Sequence, residues 1–168
     1  MDKSIPAAES AASQRNSPAT TPMIRICLYA AKRQEALTQL ENSLASSFPL
    51  DRKEFFQDIN ELCRHLQKFS RAARIAVFLI AKPAELERLL VRRPLLEHVP
   101  IILILPDDRH ETVAMAHLLR PRFLTGADNC SDRVIRVLEK MAARLRCFSL
   151  EKPAADFPLN QAADGKEL

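Results

Sequence analysis

Two short segments of this chain are apolar at every position: residues 75–81 (IAVFLIA) and residues 100–106 (PIILILP). A strand with one face in water alternates apolar and polar side chains, whereas a strand covered on both faces is apolar throughout. Proline bounds the second segment at both ends. The two segments therefore predict central strands of a parallel sheet that lies between two layers of helices.

Three further β-type segments extend this pattern, at residues 24–30, 49–56 and 121–125. Apolar residues recur at helical spacing between consecutive strands. Five strand–helix units of this kind predict a three-layer α/β/α domain with a five-stranded parallel sheet. The second segment is the most polar and suits a sheet edge. The expected strand order is therefore 2-1-3-4-5, as in flavodoxin-like folds, in which ligands bind at the carboxyl ends of the strands.

Local signals predict where the helices begin and break. Pro94 is expected to kink or restart the third helix, and Asp108 has the spacing to Glu111 of a capping box for the fourth. Ser131 is expected to cap the fifth helix. One apolar face is expected for the second helix, formed by Ile59, Leu62, Cys63, Leu66 and Phe69.

Glycine is scarce, and this scarcity excludes several kinds of binding and catalytic site. The chain has 168 residues and two glycines, Gly126 and Gly165, where about a dozen is usual at this length. The GxGxxG dinucleotide fingerprint and the GxxxxGK[ST] phosphate loop both need several glycines for close approach to phosphate. The GxSxG motif of α/β-hydrolases is also missing. The sequence therefore predicts no nucleotide cofactor.

Both ends of the chain differ in composition from its centre. Residues 1–22 and 149–168 are expected to be a disordered N-terminal tail and a flexible C-terminal tail around one domain at 23–148. There is no run of 18 apolar residues and no apolar signal region, so a cytoplasmic protein without a membrane span is expected. In that compartment the four scattered cysteines should be reduced thiols, and no CxxC or HExxH motif supports a metal site.

Residues 99–105 (VPIILIL), standing before the fourth helix of a five-unit chain, resemble the receiver domain of bacterial response regulators. The resemblance covers roughly residues 23–148 and implies a role in two-component signalling or a phosphorelay. It also implies a definite chemistry. An acidic pair after the first strand holds Mg²⁺, and an aspartate ending the third strand accepts the phosphoryl group. A Thr or Ser ends the fourth strand, and a Lys ends the fifth.

This chain departs from that pattern at each position. Residues 30–32 (AAK) follow the first strand, and Ala81 stands at the phosphoacceptor position. Residues 105–106 (LP) end the fourth strand, and residues 125–127 (TGA) end the fifth. Without these carboxylates nothing holds magnesium or accepts a phosphoryl group. The sequence therefore predicts a degenerate receiver, or pseudo-receiver, that is neither an enzyme nor phosphorylated in the family's way.

Four aspartates leave an alternative open, because clustered carboxylates raise one another's pKa and can form a catalytic or metal site. Asp107, Asp108 and Asp128 should lie near the carboxyl edge of the sheet, with Asp132 close by. The favoured interpretation is structural. Asp108 would cap the fourth helix, and Asp128 and Asp132 would surround the start of the fifth.

The histidines and cysteines give weaker indications. Cys63 and His65 are two residues apart on a helix and point to different faces, so they are not placed for nucleophilic catalysis. His110 and His117 lie two turns apart on another helix, but no further ligands accompany them.

The fourth helix, fifth strand and fifth helix carry the output of receivers, and here they are rich in arginine. We expect this surface to bind an acidic protein partner or a second copy of the chain, since arginine binds carboxylates bidentately. A merely solvated basic face is the other interpretation. The expected interface residues are Arg109, His110, Arg120, Arg122, Phe123, Arg133 and Arg136.

Charge keeps nucleic acid as the alternative partner. The net charge is +4 and the pI is about 9.0. Residues 1–22 carry no net charge and residues 151–168 carry −2, so the central segment carries +6. This excess of positive charge would neutralise the phosphates of a bound nucleic acid. Against it, the chain has no Trp and one Tyr for base stacking, and no recognition helix stands out.

Overall fold

The structure, a computed structural model, describes residues 22–68, 73–128 and 130–150. Most of the predicted tails, and Phe69 of the predicted second helix, lie outside these residues. Strands and helices alternate as predicted. The elements are β1 (Arg25–Ala30), α1 (Glu35–Ser47), β2 (Arg52–Phe56), α2 (Ile59–Lys68), β3 (Arg74–Leu79), α3 (Pro83–Val91), α4 (Arg93–Leu96), β4 (Ile101–Leu105), α5 (His110–Leu118), β5 (Phe123–Gly126) and α6 (Cys130–Leu150).

The five strands form one parallel sheet in the order β2-β1-β3-β4-β5, which confirms the predicted fold. The strands β3 and β4 are buried along their whole length except at Arg74, as their apolar sequences require. Strand β2 is polar and lies at one edge, where Phe55 is half exposed. A mixed sequence is tolerated there because an edge strand has one neighbour instead of two.

Successive residues of each strand point into two separate hydrophobic cores. In β3, Ala76 and Phe78 join the core beneath α2, α3, α4 and α5, whereas Ile75 and Val77 join the core beneath α1 and α6. This is the predicted three-layer arrangement. Among the helices in the described part of the chain, none is long and apolar enough to cross a membrane.

Pro94 divides the predicted third helix into two, as expected. Helix α3 ends at Val91, and the short helix α4 starts at Arg93 with the proline in its first two positions. Proline has no N–H to continue the helical hydrogen bonding and clashes with the carbonyl four residues before it. A proline is tolerated in a first turn because the N–H groups there have no helical partner.

Two of the predicted helix caps are wrong. Helix α5 begins at His110 with Arg109 at the N-cap and no side-chain cap, so Asp108 lies one residue too early for a capping box. Asp107 instead accepts a hydrogen bond from the Arg109 N–H through Oδ1 at 3.2 Å. Helix α6 begins at Cys130, which places Ser131 inside the first turn rather than at its cap. Both observed starts lie within two residues of the predicted ones, which is the range over which helix boundaries vary.

Candidate functional site at the carboxyl edge of the sheet

A cleft of about 360 Å³ lies beside the carboxyl ends of β1 and β2 and the helices α2 and α3. Strand β1 pairs with both β2 and β3, so the chain order reverses at this place in the sheet. Ligands of open parallel sheets bind at such switch points. The polar side chains that line the cleft belong to Tyr29, Gln57, Asp58, Asn60, Glu85, Arg88 and Arg92.

Glu85 supplies the buried charge of this cleft, with 7% of its surface exposed. It lies in the first turn of α3, whose N-cap residue, Lys82, forms no side-chain cap. The Glu85 Oε2 atom accepts a hydrogen bond from the backbone N–H of Ala81 at 3.3 Å. A carboxylate supplied by α3 therefore lies against Ala81, the residue at the predicted degenerate phosphoacceptor position.

Tyr29 lies in β1 next to the same carboxylate. Burial, and then the negative charge of Glu85, raise the pKa of the Tyr29 phenol to about 12. The phenol is therefore neutral at ordinary pH and is no nucleophile. Its ring also contacts Phe78 of β3, with 5.9 Å between the ring centroids. Tyr29 thus connects the cleft with the hydrophobic core beneath α2, α3, α4 and α5.

The charges of the remaining polar groups in the cleft largely cancel. Asp58 caps α2, because its Oδ1 accepts a hydrogen bond from the Asn60 N–H at 2.7 Å. Arg92 donates to the Asn60 side-chain oxygen. With Arg88 also in the lining, two guanidinium groups face the carboxylates of Asp58 and Glu85. The cleft therefore has little net charge with which to attract a divalent cation.

The ends of β1, β4 and β5 carry no carboxylate. Ala30 ends β1 and is buried, and Leu105 ends β4 before the exposed Pro106. Thr125 lies in β5, and its hydroxyl donates to the Gly126 carbonyl at 3.4 Å. These residues share one edge of the sheet because all five strands are parallel.

The four aspartates of the alternative carboxylate site do not form a metal-binding group. Asp107 is half-buried, and Asp108, Asp128 and Asp132 are exposed. Within residues 22–68, 73–128 and 130–150, the one set of three or more candidate ligand atoms within 4.8 Å of one another lies elsewhere. The structure thus assembles no such site from these aspartates.

That one set consists of Cys27, Glu54 and His65, which the sequence did not single out together. Glu54 pairs with His65 and with two guanidinium groups, those of Arg52 at 2.7 Å and Arg25 at 3.5 Å. Burial, and then the charge of Glu54, raise the pKa of the Cys27 thiol to about 12. The thiol is therefore protonated, and the carboxylate beside it is already paired with arginines. The three residues belong to an ion-pair network that joins β1, β2 and α2.

Cys63 and His65 have separate surroundings, as their spacing on α2 predicts. Cys63 belongs to the core beneath the sheet, whereas His65 pairs with Glu54 and contacts the ring of Phe56. His110 and His117 are both exposed on α5.

The residues of the expected interface fall at three places. Arg109 and His110 begin α5 at the carboxyl edge of the sheet, and Arg133 lies in the first turn of α6 at the same edge. Arg120 and Arg122 lie at the opposite edge, before β5. Arg136 lines a groove between α1 and α6. Of the expected interface residues, Phe123 is half-buried against the core beneath α1 and α6, and Arg109, His110, Arg120, Arg122, Arg133 and Arg136 are exposed.

Comparison with known proteins identifies the fold but not a family. No protein-family model and no curated protein matches the sequence. Solved structures of signal receiver domains do match. The receiver domain of an HD domain-containing protein from Pseudomonas fluorescens Pf-5 has a TM-score of 0.58 and 17% identity, over 82% of this chain and 99% of that one.

Two further structures have the same fold. The receiver domain of a modulated diguanylate cyclase from Desulfovibrio desulfuricans G20 has a TM-score of 0.54 and 21% identity, over 74% of this chain and 97% of that one. A putative pilus assembly-related protein from Burkholderia pseudomallei K96243 has a TM-score of 0.54 and 16% identity, over 74% and 92%. The chain therefore has the fold of signal receiver domains.

Proposed function

We propose that this protein is a non-phosphorylatable, receiver-like module of bacterial signalling, acting in the cytoplasm by binding another protein. The observation that carries the proposal is the chemistry around Ala81. Ala81, at the position that the resemblance predicts for the phosphoacceptor, has only a methyl group, and its own backbone N–H donates a hydrogen bond to Glu85. Covalent phosphorylation needs a nucleophilic oxygen at that place and a metal ion to neutralise charge on the phosphoryl group.

Glu85 is a poor replacement for the missing aspartate. Its carboxylate is buried and already accepts a hydrogen bond from the Ala81 N–H, so little of it is accessible to a phosphoryl donor. The two guanidinium groups beside it, of Arg88 and Arg92, further oppose binding of the magnesium ion that the reaction requires.

Phosphorylation is tested with a small phosphodonor. The full chain is incubated with acetyl phosphate and Mg²⁺, and its intact mass is measured against a catalytically complete receiver domain treated in parallel. The expected result is an unchanged mass for this protein. An adduct of about 80 Da, the mass of one phosphoryl group, would overturn the proposal.

Binding is assigned to the expected interface, and its carboxyl-edge part is the simplest to test. Helices α5 and α6 pack on opposite faces of the sheet, and they begin after the neighbouring strands β4 and β5. Strand β5 is the edge strand of the sheet that the described residues form. Arg109, His110 and Arg133 all lie near the helix starts at this corner of the sheet. Arginine and histidine there suit a partner that presents carboxylates.

The partner test compares charge reversals at two places. Tagged protein is isolated from its native lysate with and without nuclease, and the bound proteins are quantified in each sample. Arg133→Glu should lose a stoichiometric partner and keep the fold, because an acidic residue suits the first turn of a helix. Arg33→Glu, at an exposed position after β1, is the matched control and should retain it. Recovery that disappears with nuclease would overturn the proposal in favour of nucleic acid.

A further inference from the structure

A second cleft, of about 680 Å³, lies at the amino edge of the sheet, away from the switch point. It is bounded by α4, the start of β4 and the turn between α5 and β5. Small-molecule sites in proteins have this range of volume. The charged and polar residues of its lining are Arg93, Glu97, His98, Arg120 and Arg122.

Three guanidinium groups face this cleft against one carboxylate. Arg93 begins α4, and Arg120 and Arg122 lie on either side of a proline before β5. In the described part of the chain, no hydrogen bond or ion pair engages the side chains of these three arginines. Arginines without carboxylate partners in one concave place form a site for an anion, and the planar guanidinium matches phosphate oxygens bidentately.

The floor of the cleft is apolar. Leu96, Val99 and Leu119 line it, and each has at most 6% of its surface exposed. These side chains are already shielded from water, so they pack the wall of the cleft and offer little surface to a ligand. The chemistry that the cleft offers to a ligand is therefore that of its three arginines.

The backbone at Arg120 supports a specific role for this side chain. Arg120 is the one non-glycine residue in the described part of the chain with a positive φ, at 52°. Hydrogen bonds from the N–H groups of Leu119 and Arg120 to the carbonyls of Ala116 and His117 hold the turn that ends α5. Glycine fits this conformation without steric cost, and arginine does not. An unfavourable residue held in such a turn points to a function for its side chain.

We propose that this cleft binds a small anion that carries a diphosphate group, with Arg93, Arg120 and Arg122 on the phosphates. The proposal is independent of phosphorylation at the carboxyl edge. It assigns Arg120 and Arg122, two residues of the expected protein interface, to a ligand.

The test is calorimetric titration of the full chain with ADP and with inorganic pyrophosphate, at concentrations up to about 1 mM, where even weak binding is detected. Both should bind, because both present a diphosphate to the three guanidinium groups. Arg120→Gly should weaken ADP binding about tenfold or more, since it removes a charged hydrogen-bond donor. It should leave the melting temperature undiminished, because glycine suits the positive φ.

Two further variants complete the design. Arg122→Gln should weaken binding like Arg120→Gly while keeping a side chain of similar length. Arg33→Gln, at an exposed position outside this cleft, is the matched control and should bind as the wild type does. Failure of both ADP and pyrophosphate to bind would overturn the proposal, and so would equal binding by Arg120→Gly and the wild type. Binding of ADP without binding of pyrophosphate would also overturn it, because the arginines would then not hold the phosphates.

Discussion

Glu85 determines much of the chemistry at the carboxyl edge of the sheet. Its buried carboxylate bonds the Ala81 N–H and lies beside the neutral Tyr29 phenol. Glu85→Ala removes the acceptor and leaves polar groups buried without a partner, so we expect a loss of about 1–3 kcal/mol in the free energy of unfolding. Urea denaturation measures this loss of stability. Glu87→Ala, an exposed change on the same helix, is the control and should stay within about 0.5 kcal/mol of wild type.

The same residue marks the limit of prediction from sequence. An acidic residue in the first turn of a helix is common, since it favours the helix dipole, so its presence indicated no site. Only the fold brings Glu85 of α3 next to Tyr29 of β1. The group of Cys27, Glu54 and His65 was missed for the same reason, because its members come from two strands and a helix.

At the scale of the element, helix α5 starts without a side-chain cap. Arg109 occupies its N-cap position and makes no cap hydrogen bond. Serine there would accept a hydrogen bond from a first-turn N–H, so Arg109→Ser should stabilise the fold by about 1 kcal/mol. Arg109→Ala removes the same charge without adding an acceptor. Equal unfolding free energies for the two variants in urea would contradict this account of the helix start.

Helices and strands could be predicted from the sequence where a single physical rule determines their position. The apolar residues of β3 and β4 fit only a strand covered on both faces, and Pro94 interrupts its helix by its own chemistry. The starts of α5 and α6 were predicted wrongly because Asp108 and Ser131 are capping residues that a loop can place elsewhere. A cap depends on the path of the preceding loop, which carries no periodic signal.

The strand order follows from the whole molecule. A polar second strand belongs at an edge, and right-handed connections then leave few arrangements of five parallel strands. The order β2-β1-β3-β4-β5 was predictable on these grounds. The cleft of Arg93, Arg120 and Arg122 was not, because its residues come from a short helix and a turn that no sequence pattern joins.

Buried thiols and a buried phenol contribute to how the whole molecule responds to alkali. Cys27 and Tyr29 illustrate the effect. Burial raises the pKa of Cys27 from 9.0 to about 12 and that of Tyr29 from 10.0 to about 12. Below about pH 8 both groups are largely protonated in the folded and the unfolded chain, so they contribute little pH dependence. At higher pH the unfolded chain loses protons that the folded chain keeps, and stability falls as pH rises towards 12. Each group contributes a slope of about 1.4 kcal/mol per pH unit once it is ionised in the unfolded chain.

Urea denaturation between about pH 8 and about pH 10.5 measures this slope, because the range spans the ordinary pKa values of both groups. Cys27→Ser should flatten the slope, whatever it does to stability at neutral pH, because the hydroxyl does not ionise in this range. Cys147→Ser is the matched control: this thiol is exposed on α6 and has nearly the same surroundings in both states, so the slope should be unchanged. A slope that Cys27→Ser leaves as steep as in wild type would place the alkaline sensitivity elsewhere in the chain.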